Sequence, residues 1–552
     1  MDGQPPNVDP HPPLESLNPD KLRLVAPYGV ASPIEKLPPE VLSDIFRLDA
    51  RADDIEKEDA FGIGGDDGLY LEYARNGHRR VYPPPFGKPR RRKPVRRMPA
   101  QVRVSHVCQH WRVVAIETAN LWTTLKFRAG CPWGENLEWL SRSKDSPLDI
   151  TINYFALDEF APHSPELEQA EADFIAILDL VLPHVSRWRA FRLDVDMYRY
   201  LALAWRRLEE CPVDPGTPFL ETLVLKGVLA PDVRLNNLNV RECKKRSLPF
   251  GRHMGNIKIL ELARFHMDWD LLIPASERSA LHSTAAPYAI TSLTRLHLFW
   301  HEDNFGPSCA SFTNIIRCSP GLQSLEIIGS GPAALPLELS AHPMFLPKLR
   351  HLALGGLKED HAITMLRLLY APCLTSVKFD LVNDDYTGFV EELVERISLP
   401  GRLPEYFDLS EDQRRAFESR SKLTLVEDVN LSGLRCSFDS AYLFFVNCPN
   451  LKRLFISDTN VPGPFLTALI ERDWATRFFA DPETSDHPLA RGLLCPQLQV
   501  LTMLGLDSGL TLVAERRKAL GYPLLDANSD CCQHILREDM CWKDWWQLFV
   551  EG

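Results

Sequence analysis

From Arg187 onward the chain repeats one six-residue spelling, apolar-x-x-apolar-x-apolar, and this constrains the fold more than any other feature. Leu220-Glu-Thr-Leu-Val-Leu225 is one copy; others lie at 257–262, 293–298, 322–327, 349–354, 374–379, 426–431, 451–456 and 498–503, after a degenerate opening copy at 188–193. The last two apolar positions are spaced for one face of a strand. Starts lie 25 to 52 residues apart, leaving room for a helical return leg before the next strand runs in the same sense. That pattern gives a parallel sheet with helices on one face. No single unit can bury its own leucines, so neighbours must stack. Proline just before many copies (Pro218, Pro320, Pro347, Pro372, Pro449, Pro496) ends the preceding helix. Return-leg helices are predicted at 312–318, 361–370, 386–397 and 440–447, and a longer helix at 166–186 is expected to lead into the array.

The series resembles an irregular leucine-rich-repeat array, and the resemblance implies a solenoid with a parallel sheet and outer helices. A compact α/β domain whose strands share the pattern is the plain alternative. In either, the residues between the core positions face away from the helices. This puts Arg192, Glu261, Arg295, His297, Phe299, Glu326 and His351 on one surface with Lys378, Asp380, Asp428, Arg453 and Phe455. Mixed charge with interspersed aromatics suits recognition of a protein segment. The candidates for that role are Arg295, His297, Phe299, Glu326, Lys378, Asp380, Arg453 and Phe455. A solvated face without a partner is the competing reading.

Upstream, two apolar helical blocks stand apart. Pro33-Ile-Glu-Lys-Leu-Pro-Pro-Glu-Val-Leu-Ser-Asp-Ile-Phe46 places prolines where a helix begins, then Val41, Leu42, Ile45 and Phe46 at helical spacing. Val104-Ser-His-Val-Cys-Gln-His-Trp-Arg-Val-Val-Ala115 repeats the device and is followed by Leu121-Trp122. So much apolar surface exceeds what a small bundle can hide, which marks a docking face. The two blocks, in this order, resemble the F-box in the form common in proteins of mushroom-forming fungi.

That resemblance implies a small N-terminal three-helix F-box that plugs a substrate receptor into the Skp adaptor, and through it the cullin, of a ubiquitin ligase. By position it assigns adaptor contact to Leu37, Pro38, Val41, Leu42, Ile45, Phe46, Val107, Cys108, Trp111 and Trp122. The chain would then be a noncatalytic substrate-recognition subunit, with the array holding a protein substrate. A repeat scaffold with no ligase role is the alternative.

The expected organisation is a disordered leader at 1–32, the F-box at 33–127 interrupted by an insert at 49–101, a linker at 128–187, the array at 188–530 and an aromatic cap at 531–552. The leader carries seven prolines. The insert opens with nine acids against two bases over 49–72, then has nine bases and no acid over 79–97. Its run of Lys88, Arg90, Arg91, Arg92, Lys93, Arg96 and Arg97 has the composition of a nuclear import signal, which would bring in an import receptor. The same run could hold phosphates, but it lacks aromatics for base stacking, and a net charge of −12 argues against nucleic acid as a general partner.

Thirteen scattered cysteines read as reduced thiols, and no apolar run is long enough for a membrane span or a secretory signal. An intracellular chain of the cytoplasm, with nuclear entry through the basic run, is the expectation. Neither His106, Cys108 and His110 nor Cys531, Cys532, His534 and Cys541 has zinc-site spacing. No cofactor or metal is expected. No nucleophile elbow or phosphate-binding glycine loop appears either, so no catalytic residue is assigned.

Overall fold

The computed structural model describes residues 37–60, 98–155, 165–195, 198–210, 219–227, 254–265, 267–272, 290, 292–301, 306–332, 343–381, 384–395, 421–457, 464–470, 494–504 and 507–528. The leader, the basic run and the C-terminal aromatic segment lie outside them.

Among the described residues, thirteen parallel strands form one sheet in almost sequential order. They are β1 (Thr124–Arg128), β2 (Leu148–Tyr154), β3 (Trp188–Val195), β4 (Thr222–Gly227), β5 (Ile259–Ala263), β6 (Arg295–Phe299) and β7 (Ser324–Ile328), then β9 (His351–Gly355), β11 (Ser376–Asp380), β12 (Asp428–Ser432), β13 (Arg453–Ser457), β14 (Val500–Leu504) and β15 (Asp526–Asn528). The short strands β8 (Met344–Phe345) and β10 (Leu369–Tyr370) pair separately. Every predicted copy of the repeat contains a strand. The α/β class and the large stacked parallel sheet are therefore as expected.

The register explains why the stack holds. Leu223, Leu260, Leu296, Leu325, Leu352, Val377, Val429, Leu454 and Leu501 align as one transverse row, and Leu225 through Met503 align as a second. The first apolar residue of each copy, such as Leu293, Leu322 and Leu451, is fully buried beneath them. A row of identical apolar groups excludes water only when both neighbouring strands are present, and burying each side chain stabilises by about 1.5–3 kcal/mol.

The helices close the same side. They include α7 (Cys309–Arg317), α8 (Glu359–Leu368), α9 (Thr387–Val394) and α10 (Phe438–Val446), each near its predicted position. Phe312, Phe389 and Phe444 belong to the same core cluster as the leucine rows. Ser308 and Ser437 cap α7 and α10 by accepting the backbone N–H groups of Ser311 and Ser440, satisfying donors the helix cannot.

Two expected boundaries are corrected. The sheet begins at Thr124 rather than at 188, because β1 and β2 pair in register ahead of β3. Leu148, Ile150, Ile152 and Tyr154 alternate into the core, so 128–187 is not a linker. The long helix, α5 (Pro165–Val181), is the return leg between β2 and β3 and buries Phe174, Ile177, Leu178 and Val181.

At the N-terminal end stand α1 (Pro39–Ala60), α2 (Ala100–Ser105), α3 (Gln109–Glu117) and a 3-10 turn at Ala119–Trp122. The first helix continues through Ala60, so residues 49–60 of the expected insert extend it, and Arg103 on α2 pairs with Asp49 at 3.2 Å.

Candidate functional site

The bundle's own core is small: Leu42, Phe46, Val104, Val114, Ala115, Leu121 and Trp122, with Leu37, Ala50, Trp111 and Trp139 packed at its margin. Phe46 tilts against Trp111 with ring centroids 4.9 Å apart. The buried Trp122 indole donates to the Ala115 carbonyl at 2.8 Å, and Ser43 bonds Thr118 across the bundle at 2.8 Å. Cys108 caps α3, its sulfur accepting the Trp111 backbone N–H at 3.4 Å.

These contacts correct part of the adaptor surface that the resemblance implies. Leu42, Phe46 and Trp122 are sealed inside the bundle and have no face left for another chain. Leu37, Cys108 and Trp111 are half-buried, and Pro38 is exposed.

What remains outside is a stripe. Successive residues of a helix are rotated by about 100°, so Val41 and Ile45 face away from the core that Leu42 and Phe46 enter. Val41 is 42% exposed and Ile45 40%, with Leu48 continuing the stripe one turn on. Val107, between α2 and α3, is 60% exposed. Leu48, Val113 and Ile116 are exposed apolar groups that the motif did not single out; the signal was position, Val113 and Ile116 being one residue out of phase with buried Val114 and Ala115 and Leu48 two residues past buried Phe46.

The bundle joins the array without a spacer, since only Thr123 separates its last turn from β1. The helix α4 (Gly134–Arg142) locks the joint. Trp139 packs on both hydrophobic cores and lies 6.2 Å from Trp122, while the Arg142 guanidinium sits 4.5 Å over the Trp122 ring. Arg142 is held in turn by Glu138 at 2.8 Å.

The second surface is the sheet face opposite the leucines. Val224, Glu261, His297, Glu326, Ala353, Lys378, Asn430, Phe455 and Thr502 align across successive strands as one row. Glu261 is the centre of its charge network, with Lys226 Nζ at 3.0 Å and His297 Nδ1 at 3.2 Å. The other ring nitrogen of His297 is 3.1 Å from Ser324 Oγ and 3.8 Å from Glu326. Arg453 grips Asp428 through two nitrogens, which raises the arginine pKa. His351 is shifted the other way: burial and the Arg295 charge lower its pKa against an opposing pull from Asp428.

The structure brings the predicted face residues onto one surface, but not all of them into the open. Arg295 is exposed and Phe299, Glu326, Lys378 and Arg453 are half-buried, whereas His297, Asp380 and Phe455 are buried. Glu261 and Asp428 are buried as well, because neighbouring strands engage them in ion pairs.

Among the described residues no group of His, Cys, Asp and Glu is arranged to hold a metal, and no helix is long and apolar enough to cross a membrane. No protein-family model and no curated protein matches this chain.

Proposed function

We propose that the chain is the substrate-recognition subunit of an SCF-type ubiquitin ligase: the bundle docks on the Skp adaptor, and through it the cullin, while the array holds a protein substrate. The observation that carries this reading is the Val41–Ile45–Leu48 stripe with Val107, left uncovered beside a bundle core already complete without it. Exposed apolar groups on a helix are retained where another chain covers them. The two sequence blocks supply the identity of that chain.

The rigid joint fits the same task. Ubiquitin transfer by proximity needs a substrate lysine kept near a charged carrier enzyme, and a fixed geometry raises effective concentration more than a loose tether does. In this reading no residue of the chain enters the chemistry. Substrate contact falls to accessible residues of the face, Arg295, Phe299, Glu326, Lys378 and Arg453, rather than to the whole row.

The test is co-purification of the adaptor with the intact chain carrying Val41→Asp and Ile45→Asp. Both positions face outward, so the fold should survive, verified by an unchanged unfolding midpoint. Loss of the adaptor from a folded double variant is the expected result; stoichiometric capture would remove the proposed site.

A further inference from the structure

The charges of the outward sheet face do not balance one another. Asp149 is engaged by Arg189, Glu261 by Lys226 at 3.0 Å and Asp428 by Arg453, while Glu326 faces His297 at 3.8 Å. Asp194 and Asp380 are not free either. Arg192 and Lys378 are half-buried and Arg295 is exposed, yet among the described residues none of these three has an ion-pair partner. The charge left over on this face is therefore positive, although the chain as a whole carries −12.

The spacing of the three cations describes what they can hold. They stand on β3, β6 and β11, and the strand order puts three intervals between β3 and β6 and three between β6 and β11. Strands lie about 4.8 Å apart, so a cation recurs roughly every 14 Å across the sheet. An extended chain advances about 3.3 Å per residue, which matches one cation to roughly every four residues of a segment lying across the strands. Four is an even number, so side chains at that interval all point to the same side. A nucleic acid fits poorly, because each of its strands carries a charge about every 3.4 Å and would meet Glu261 and Glu326 between the cations.

Unfilled hydrogen-bonding capacity surrounds Lys378. His351 pairs with Ser376 across β9 and β11, and Lys378 pairs with Asn430 across β11 and β12. Ser376 is 0% exposed and Asn430 3%, but Ser376 Oγ, Asn430 Oδ1 and His351 Nδ1 have no hydrogen-bond partner. Buried polar atoms are nearly always paired, so three such atoms on adjacent strands mark a place where something else supplies the partners. A peptide backbone offers N–H donors and carbonyl acceptors together, which suits a hydroxyl, an amide oxygen and a neutral imidazole. The free cations and the unpaired atoms are separate observations, and both point to an acidic peptide.

We propose that the face from β3 to β12 binds an extended acidic segment of a partner protein. Carboxylates about four residues apart meet Arg192, Arg295 and Lys378, and the backbone of the segment meets Ser376 and Asn430. This rests on the array being the part that holds the substrate, and it names the chemistry of that substrate.

The deciding experiment selects a phage-displayed library of random peptides, about twelve residues long, on the intact chain. Enrichment of Asp and Glu at four-residue intervals is expected. The most enriched peptide is then synthesised and titrated onto variants of the intact chain. Arg295→Glu with Lys378→Glu should bind it about tenfold more weakly and still co-purify the adaptor as the unsubstituted chain does. Arg192→Glu alone should weaken binding about threefold, and so keeps the test decisive if the double variant does not fold. Ser376→Ala should also weaken binding, while the unfolding midpoint of the free chain stays the same or rises, because the deleted hydroxyl is unpaired there. Selection of peptides without acidic residues, equal affinity for the charge-reversed variants, or displacement of the peptide by poly(U) RNA at equal charge overturns the proposal. Acidic selection by a chain that fails to capture the adaptor would support it and remove only the ligase reading.

Discussion

The bundle and the array solve the same burial problem with opposite results. In the array each leucine row is covered by strands on both sides and helices beneath, and most of the outward positions are polar. In the bundle, seven of the described residues form the core, and apolar side chains are still left on the outside of α1 and beyond α2. The difference lies in supply rather than in packing quality. The array's pattern spends its apolar residues on positions its own neighbours fill, while the bundle's pattern carries more than its helices enclose. A surplus of that kind is informative because retaining it exposed has an unfavourable solvation cost, about 25 cal/mol per Å².

Adjacent residues on α1 give the sharpest way to break this comparison. Phe46→Ala removes a ring from the bundle core and should cost about 3–5 kcal/mol, enough to unfold the bundle while the array stays intact. Ile45→Ala, one position away, should change stability by no more than about 0.5 kcal/mol and weaken adaptor capture. Hydrogen exchange followed by mass spectrometry separates the two, since amides of 100–117 should lose protection only in the first variant. Comparable destabilisation by both would mean that Ile45 is a structural residue and the surplus does not exist.

The joint between the two regions predicts an intermediate effect. Trp139 contributes to both cores, so Trp139→Ala should destabilise the bundle by roughly 2–4 kcal/mol and leave the β5–β14 amides unchanged. Arg142→Ala, which removes only the cation over the Trp122 ring, should cost on the order of 0.5–1 kcal/mol. If Trp139→Ala leaves bundle protection untouched, Trp139 does not couple the two regions.

Legibility from sequence followed the physics of each part. Strands with the full apolar-x-x-apolar-x-apolar spelling could be placed with their inward and outward residues in phase, because a period of two fixes the face. The first two strands were missed for identifiable reasons. Trp122-Thr-Thr-Leu-Lys-Phe127 is a copy with tryptophan in the first position, and the Leu-Trp end of the bundle motif had already claimed it. In β2 the alternation of Leu148, Ile150, Ile152 and Tyr154 was a sufficient signal on its own, without a leucine three residues ahead of Ile150.

The docking stripe was half legible. Helical spacing identifies Val41, Leu42, Ile45 and Phe46 as one apolar surface, but it does not divide them between the core and the outside, which depends on where α3 crosses. The burial of Phe455 on the outward side left no mark in the pattern, since local alternation treats every outward position alike.

The smallest predicted effect concerns acidity on that face. Burial, then the nearby Arg295 and Arg350 charges, disfavour the imidazolium of His351 in the folded protein, while Asp428 and Glu326 only partly offset them. Its folded pKa therefore lies below the ordinary histidine value of 6.5. Between those two values the unfolded chain binds more protons than the folded one, so stability falls as pH drops through that window and is fully present above pH 6.5. His184 is displaced in the same direction by burial and Arg187, so the wild-type slope contains both. His351→Gln removes one of them: its unfolding midpoint should decline less than that of the wild-type chain between pH 6.5 and 5, and the two curves should run parallel from pH 7 to 8. A steeper acid slope in the variant would place the imidazolium form in the fold, held by Asp428, and reverse the electrostatic account of the row in which His351, Asp428 and Arg453 align.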